Sequence, residues 1–345
     1  MTKQHKITFN TKKVTKELLA VLSDRARDIL KRRFGLEGIP DGMTLGAIGE
    51  IYSITRERVR QIENFSVAAI RKSAAFKNNA DVFTEIRKHM DEFGGVVHEK
   101  DFLNHLTSDK ETQNHLSFYL ELGEDFVKIK EDEEFHHRWT IDQGLAEKVH
   151  NSLRDLYKNL SEDDIISESE LIVKFLEGLK DTVKDVRNEE MAKRWVCISK
   201  KIGKNALGEW GVAHSPNIKV RGIRDLAYLI LRKHGSPMHF KEVAKAIREV
   251  FGKKANEATC HNELIKDNRF VLVGRGLYAL KKWGYSEGTV KEVVKAILEK
   301  NGPLSKEDIL DKTMRERYIK ANTVLVNLQN KKYFKKDKDG KYLIV

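Results

Sequence analysis

Residues 44–72 read TLGAIGEIYSITRERVRQIENFSVAAIRK and constrain this chain more than any other stretch. Residues 45–51 have the spacing of a short helix and run into a corner at Tyr52-Ser53-Ile54. A longer helix is expected from Thr55, whose hydroxyl caps the open amides of the first turn. Val59, Ile62, Ser66 and Ala69 recur at helical spacing and are expected to pack on Leu45 and Ile48. Gly49, lacking a side chain, lets the two helices approach closely. The opposite face carries Arg56, Arg60 and Asn64 in one i, i+4 row, with Glu57 and Gln61 in the row beside it. A packed inner face and a polar outer face at the start of the second helix make the pattern of a helix-turn-helix.

This segment resembles the second half of region 4 of primary bacterial sigma factors. Thr55-Arg56-Glu57-Arg58-Val59-Arg60-Gln61-Ile62-Glu63 is close to that family's recognition-helix signature. Leu22-Ser23-Asp24-Arg25 and Ile29-Leu30-Lys31-Arg32-Arg33-Phe34-Gly35 resemble the first half of the same region. In that family the recognition helix reads the −35 promoter element in the major groove. The resemblance implies that Arg56, Glu57 and Gln61 contact bases and that Arg58 and Arg60 mainly contact phosphates. The chemistry agrees, since Arg pairs bidentately with guanine, Glu accepts from the cytosine amine and Gln bonds adenine. Gly46 and Ala47 depart from the two acidic residues usual in the family, and Asp24 stands where Pro is common. These positions lie off the reading face and bear on partner contacts more than on DNA.

The net charge of +12 and pI of about 9.4 favour a polyanionic partner. The charge is uneven. Residues 1–80 carry +8, 81–150 carry −9, 151–220 are neutral, 221–285 carry +8 and 286–345 carry +5. An acidic block approaches phosphates against repulsion and is suited to a basic protein surface or to plain solvation. The two cysteines, Cys197 and Cys260, form no CxxC pattern, which disfavours a disulfide framework or a cysteine zinc site and fits a reducing cytoplasm. No apolar run approaches membrane-spanning length and no signal-peptide core opens the chain.

The first twenty residues read as a basic lead, with a short helix over 14–22. Residues 22–34 follow as a helix, and Pro40-Asp41-Gly42 belongs to the loop after it. The second helix of the helix-turn-helix is expected to run to about residue 75, with a short joint at Lys77-Asn78-Asn79. The rest repeats weakly. Each unit opens with an amphipathic helix and closes with an aromatic-rich strand, a turn and a second strand. The closing pairs are Phe126–Ile129 with Arg138–Ile141, Trp195–Ile198 with Trp210–Val212, Phe270–Val273 with Tyr278–Leu280, and Phe334 with Tyr342–Ile344. Their leading aromatics stand 69, 75 and 64 residues apart, each interval fitting three helices and a β-hairpin, the winged-helix plan. Ser161-Glu162-Asp163-Asp164 and Ser305-Lys306-Glu307-Asp308 look like capping-box helix starts. Repeats this long with their own hairpins read as beads rather than a solenoid.

Residues 221–285 resemble the HARE-type helix-turn-helix, a winged-helix module also found in the RNA polymerase delta subunit, in some restriction endonucleases and in chromatin regulators. The residues behind this are Ile223-Arg224-Asp225-Leu226-Ala227, Gly235-Ser236-Pro237-Met238, Phe240-Lys241-Glu242-Val243, Asp267-Asn268-Arg269-Phe270, Gly276-Leu277-Tyr278-Ala279-Leu280 and Trp283. The resemblance identifies a fold better than an activity.

Catalytic readings fall away. Gly274-Arg275-Gly276 sits between two strands with no helix after it, so it reads as a hairpin turn rather than a phosphate loop. His136 and His137 are adjacent and point to opposite faces of a strand, which disfavours a shared metal. Cys260-His261 reads as a half-buried cysteine on a helix. Glu131 to Glu134 form an acidic run, not a catalytic pair. No enzyme, cofactor or metal is expected.

The sequence thus describes a mainly α fold. A sigma region 4-like domain over 1–79 precedes winged-helix-like units over 80–143 (acidic), 144–220, 221–285 (HARE-type) and 286–345. The resemblances imply a bacterial, cytoplasmic, nucleoid-associated transcription protein with double-stranded DNA and RNA polymerase as partners and no membrane. About twenty residues precede Leu22, too few for the promoter-melting helices of a full sigma factor. A regulator or polymerase accessory protein is therefore expected. An adaptor whose winged modules hold proteins is the alternative, and a restriction or defence component is a third.

Overall fold

The computed structural model describes residues 7–179 and 189–345. Two compact bodies comprise residues 1–204 with 208–214, and residues 205–207 with 215–345.

The first body opens with α1 (Thr11–Leu19), α2 (Asp24–Phe34), α3 (Leu45–Tyr52), α4 (Arg56–Arg71) and α5 (Ala74–Asn78). The Asn10 side chain accepts from the Lys13 amide, so α1 starts three residues before the expected helix over 14–22. Residues 1–6 of the basic lead lie outside the described residues. Gly35, at φ 66°, closes α2 in the left-handed conformation. α4 stops at Arg71, short of the expected residue 75. The Ser73 hydroxyl donates to Ile70 O at 2.7 Å and accepts from the Phe76 amide at 3.2 Å, ending one helix and capping the next.

Four units with one topology follow. The first is α6 (Ala80–Phe93), β1 (Val96–His98), α7 (Glu99–Leu106), α8 (Lys110–Leu122), β2 (Val127–Ile129) and β3 (Arg138–Thr140), with sheet order β1-β3-β2. The second is α9 (Gln143–Lys158), α10 (Glu168–Glu177), α11 (Glu189–Val196), β4 (Ile202–Lys204) and β5 (Trp210–Val212), with a bridge from Ile166 to Trp210. In the second body come α12 (Ile223–His234), β6 (Met238–His239), α13 (Phe240–Phe251), α14 (Glu257–Lys266), β7 (Phe270–Gly274) and β8 (Leu277–Leu280), with order β6-β8-β7. The last unit is α15 (Val290–Asn301), α16 (Lys306–Glu316), α17 (Ala321–Leu328), β9 (Phe334–Lys336) and β10 (Tyr342–Ile344), bridged from Leu304 to Tyr342. Each time, a short segment after the first helix pairs with the last strand, and the last two strands form an antiparallel hairpin. The fold is mainly α with winged-helix hairpins.

Two local expectations fail. Trp195-Val196 are not a strand: they end α11, where Ala192, Trp195 and Val196 bury one helical face, and the partner of β5 is Ile202–Lys204. Aromatic and β-branched content mimicked a strand at a site where tertiary burial selects a helix. Ser161 does not start a helix either. Its amide donates to Asp164 at 2.7 Å in a turn, and Ser167 caps α10 instead.

Packing at residue 79 departs from separate beads. One hydrophobic cluster takes in Leu18, Leu30 and Ile70 together with Ile86, Phe102, Phe118 and Trp139. Helix α8 holds it together. Tyr119 donates to Thr11 O at 2.6 Å, and Asn114 donates to Gly35 O at 2.9 Å and Pro40 O at 3.2 Å. Arg71 donates to Leu122 O at 2.9 Å and Glu121 O at 3.0 Å, satisfying carbonyls at the end of α8. Within the second body, Arg317 is 5% exposed and donates to Leu272 O and Gly288 O, and the Tyr318 amide donates to Val273 O at 2.9 Å. The last unit therefore docks on the hairpin of the one before it.

Candidate nucleic-acid interface

The α3–turn–α4 segment is built on Ile29, Ile48 and Val59, all fully buried, with Leu45, Tyr52, Ile54 and Ile62 packed around them. Thr44 accepts from the Ala47 amide at 3.2 Å and Thr55 from the Arg58 amide at 3.2 Å, so both helices are capped as the sequence indicates. Ser53 takes the left-handed conformation at φ 53° to turn the corner. The Ile54 amide donates to Gly49 O at 2.9 Å. A Cβ on Gly49 would lie 2.6 Å from Ile54 O, so the close approach is between Gly49 and the turn backbone.

Helix α2 buttresses this pair. Tyr52 donates to the Asp28 carboxylate, which also accepts from Arg32 at 2.8 Å. These bonds, the one from Tyr52 first, hold the Asp28 carboxyl below its ordinary range. Arg33 bonds Glu63 at 3.3 Å and Met43 O at 3.1 Å, tying α2 to α4 and to the entry of α3. Burial pushes the Glu63 carboxyl up despite the arginine beside it.

Arg56, Glu57, Arg58, Arg60 and Gln61 are all exposed on the first turns of α4. They are not equivalent. Arg60 donates to Glu57 at 2.6 and 2.9 Å, and Arg58 donates to Gln61 at 3.0 Å. Arg56 makes no ion pair among the described residues and borders a concavity of about 700 Å³ with Gly46, Gly49 and Thr55. The positive end of the α4 dipole adds to this face. An arginine, a carboxylate and an amide on one exposed helix start supply the donors and acceptors that distinguish base edges.

A neighbouring groove escaped the sequence reading. Phe65 is 77% exposed and lines, with Val21, Leu22, Ala26 and Ile62, a groove of about 770 Å³ that also reaches Arg58 and Gln61. The signal was available, because Phe65 falls outside the inward stripe of Val59, Ile62, Ser66 and Ala69.

Other singled-out residues have structural roles. The acidic run at the tip between β2 and β3 is neutralised locally: Asp132 pairs with Arg138 at 3.1 Å, Glu134 with Arg154 at 2.9 Å, and Glu131 with Lys200. His137 accepts from the Glu131 amide at 3.2 Å, whereas the ring of His136 lies 5.0 Å from that of His98. Cys260 is buried and its thiol is pushed up to about 11 by desolvation, the opposite of an activated nucleophile. Gly274-Arg275-Gly276 forms the hairpin turn between β7 and β8, with Arg275 exposed at its tip. No helix among the described residues is long and apolar enough to cross a membrane.

Comparison with known proteins agrees with this geometry. Residues 18–72 match the family model for Sigma-70, region 4, and residues 222–283 match that for HARE-HTH, the ASXL and restriction endonuclease HTH domain. Both are helix-turn-helix families rather than enzyme families. The chain is 45% identical over 56 residues to RNA polymerase sigma factor SigA1 of Synechococcus elongatus, covering 16% of this chain and 13% of that protein. It is 46% identical over 56 residues to RNA polymerase sigma factor SigA of Synechocystis, covering 16% and 12%. It is 41% identical over 58 residues to the chloroplastic RNA polymerase sigma factor sigF of Arabidopsis thaliana, covering 17% and 10%. The chain thus spans only about an eighth of the length of the curated relatives it matches first. It joins a sigma-70 region 4 helix-turn-helix to a HARE-type helix-turn-helix in one mainly α-helical protein.

Proposed function

We propose that this chain is a sequence-specific DNA-binding protein of bacterial transcription. Its sigma region 4-like segment reads a −35-type element through Arg56, Glu57 and Gln61, with Arg58 and Arg60 toward phosphate. The observation that carries this reading is the exposed face of α4, held rigid from behind by Val59, Ile48 and Ile29. The expected setting is the bacterial cytoplasm, on the nucleoid, with no catalytic activity. The boundaries expected from the sequence define helix-turn-helix and winged-helix segments in this reading, although the first two share a core.

The test is selection of the full-length protein on a randomised duplex pool, repeated with Arg56→Ala and Glu57→Ala. An enriched motif that changes with Glu57 supports base reading. Sequence-blind enrichment indifferent to both substitutions removes it.

The groove around Phe65 favours a second role on the same module, docking on RNA polymerase. An apolar aromatic at this exposure gains by being covered by a protein partner and gains nothing from phosphate. Phe65→Ser should reduce association with purified core RNA polymerase and leave the selected DNA motif unchanged. Unaltered polymerase binding would leave DNA reading as the sole role of the module.

A further inference from the structure

The four hairpins share a topology and differ in chemistry. The tip between β2 and β3 is acidic and internally paired. That between β7 and β8 carries one arginine, Arg275. The C-terminal hairpin is different. Lys331, Lys332, Lys335, Lys336, Lys338 and Lys341 are all exposed on or beside it, with Lys320 at the start of α17. None of these seven forms an ion pair among the described residues. Residues 286–319 are neutral overall, so the whole +5 of the last unit sits in residues 320–345.

The two acids at the tip do not cancel this charge. Asp337 Oδ1 accepts from the amides of Asp339 and Lys341 at 2.9 and 2.8 Å, so it serves the turn. The lysine stems are supported from below. Lys336 lies 4.9 Å from the Tyr342 ring, while Lys332 and Lys291 lie 5.7 and 4.3 Å from that of Tyr333. Such contacts order the stems and leave the ammonium protons to an outside acceptor. Residues 335–338 span at most roughly 10 Å. Phosphates follow one another every ~3.4 Å of axis along one DNA strand, so this reach matches a short run of backbone.

The adjoining helix does not suit base reading. The exposed residues of α17 are Asn322, Thr323 and Val326, with no charged side chain among them. We propose that the C-terminal unit grips the phosphate backbone of duplex DNA through its lysine hairpin, without reading sequence. The site involves none of the residues on α4 and does not depend on the reading given above.

The test uses the full-length protein and a labelled random-sequence duplex, with affinity measured across a salt series. K335Q/K336Q/K338Q should weaken binding about tenfold or more near physiological salt and reduce the log–log salt slope by ~2–3. The charge-preserving K335R/K336R/K338R should restore both. K306Q/K312Q, changed on α16 of the same unit, should alter neither. The motif selected through α4 should be unchanged by the triple Gln variant, whereas Arg56→Ala should change it and spare the slope contribution of the hairpin. A triple Gln variant with an unchanged duplex slope would overturn the proposal. So would loss of binding to an acidic protein or to single-stranded RNA with duplex affinity intact, since the hairpin would then serve that partner. Unchanged melting of the triple variant keeps the reading on charge.

Discussion

Glu57 accepts two hydrogen bonds from the Arg60 guanidinium, at 2.6 and 2.9 Å, on the solvent face of α4. The bonds hold the Glu57 carboxyl below its usual range, so it remains an ionised acceptor at neutral pH. A carboxylate has about four acceptor sites, and two remain for a donor such as a cytosine amine. Arg60 therefore orients the carboxylate as well as supplying positive charge.

The expected consequence is that Arg60→Ala changes base preference in addition to weakening all duplexes. In a double-mutant cycle on affinity for the selected site, Glu57→Ala and Arg60→Ala should be non-additive by about 0.5–3 kcal/mol. Arg56, which has no such partner, should be additive with both, and Arg56→Ala should cost about 1–3 kcal/mol. Additivity of the Glu57 and Arg60 changes would assign Arg60 to phosphate alone.

Asn114 joins segments that the sequence divides. Its amide donates to Gly35 O and Pro40 O across the expected boundary at residue 79. Asn114→Ala should destabilise the first body by about 1–3 kcal/mol, because a buried carbonyl loses its donor. Residues 7–140 should melt as one transition in urea, followed by hydrogen exchange. Limited trypsin treatment should spare Lys77, whose flanking helices belong to that shared core. Early release of a stable fragment ending at Lys77 would restore the separate-bead view.

What the sequence made legible was local. Thr44 and Thr55 announce two helix starts by their own chemistry, and the hairpins of the first, third and fourth units show in their alternating aromatics. The shared core was not legible. It depends on which of several amphipathic faces meet, and Asn114 with Gly35 or Arg71 with Leu122 leaves no periodic trace. β1 and β6 escaped because strands of three and two residues carry too few positions for a pattern. Within the candidate interface, the outward residues of α4 were readable from spacing. The pairings of Arg58 with Gln61 and Arg60 with Glu57 required side-chain geometry.

Acid should loosen the first body through His150. Its ring is buried, accepts from Arg138 Nε at 2.7 Å and stacks near Phe135. Burial first, then Arg138 and Arg154, push its pKa down to about 4, with Asp132 and Glu134 opposing. The unfolded chain takes up a proton near pH 6.5, and the folded one does not until about pH 4. The stabilisation from a neutral His150 is complete above the unfolded value and is lost as pH falls through this window. Between pH 7.5 and pH 5 the loss should be about 2 kcal/mol. His150→Gln keeps an acceptor for Arg138 without the titration and should flatten the stability profile by that amount. A slope remains from His115, which burial also pushes down. Equal acid sensitivity of the two proteins would place the titration elsewhere.

Two glycines of α3 should respond in opposite directions. Gly46 has open space, with Thr44 Oγ1 at 3.9 Å from a Cβ built there, whereas the same atom on Gly49 meets Ile54 O at 2.6 Å. Ala is favoured over Gly in a helix by about 1 kcal/mol, so Gly46→Ala should be neutral to stabilising. At Gly49 the clash is with a backbone oxygen that no side-chain rotation relieves. The turn must move off α3, taking Thr55 and the start of α4 with it. Gly49→Ala should therefore cost about 1–3 kcal/mol in urea denaturation, the helix preference notwithstanding. Because the turn sets where Arg56 and Glu57 stand, Gly49→Ala should also weaken binding to the selected site more than to random duplex. Gly46→Ala should leave that ratio intact. A stabilised Gly49→Ala protein would show that the turn yields without cost, and an unchanged ratio would show that α4 keeps its place when it does.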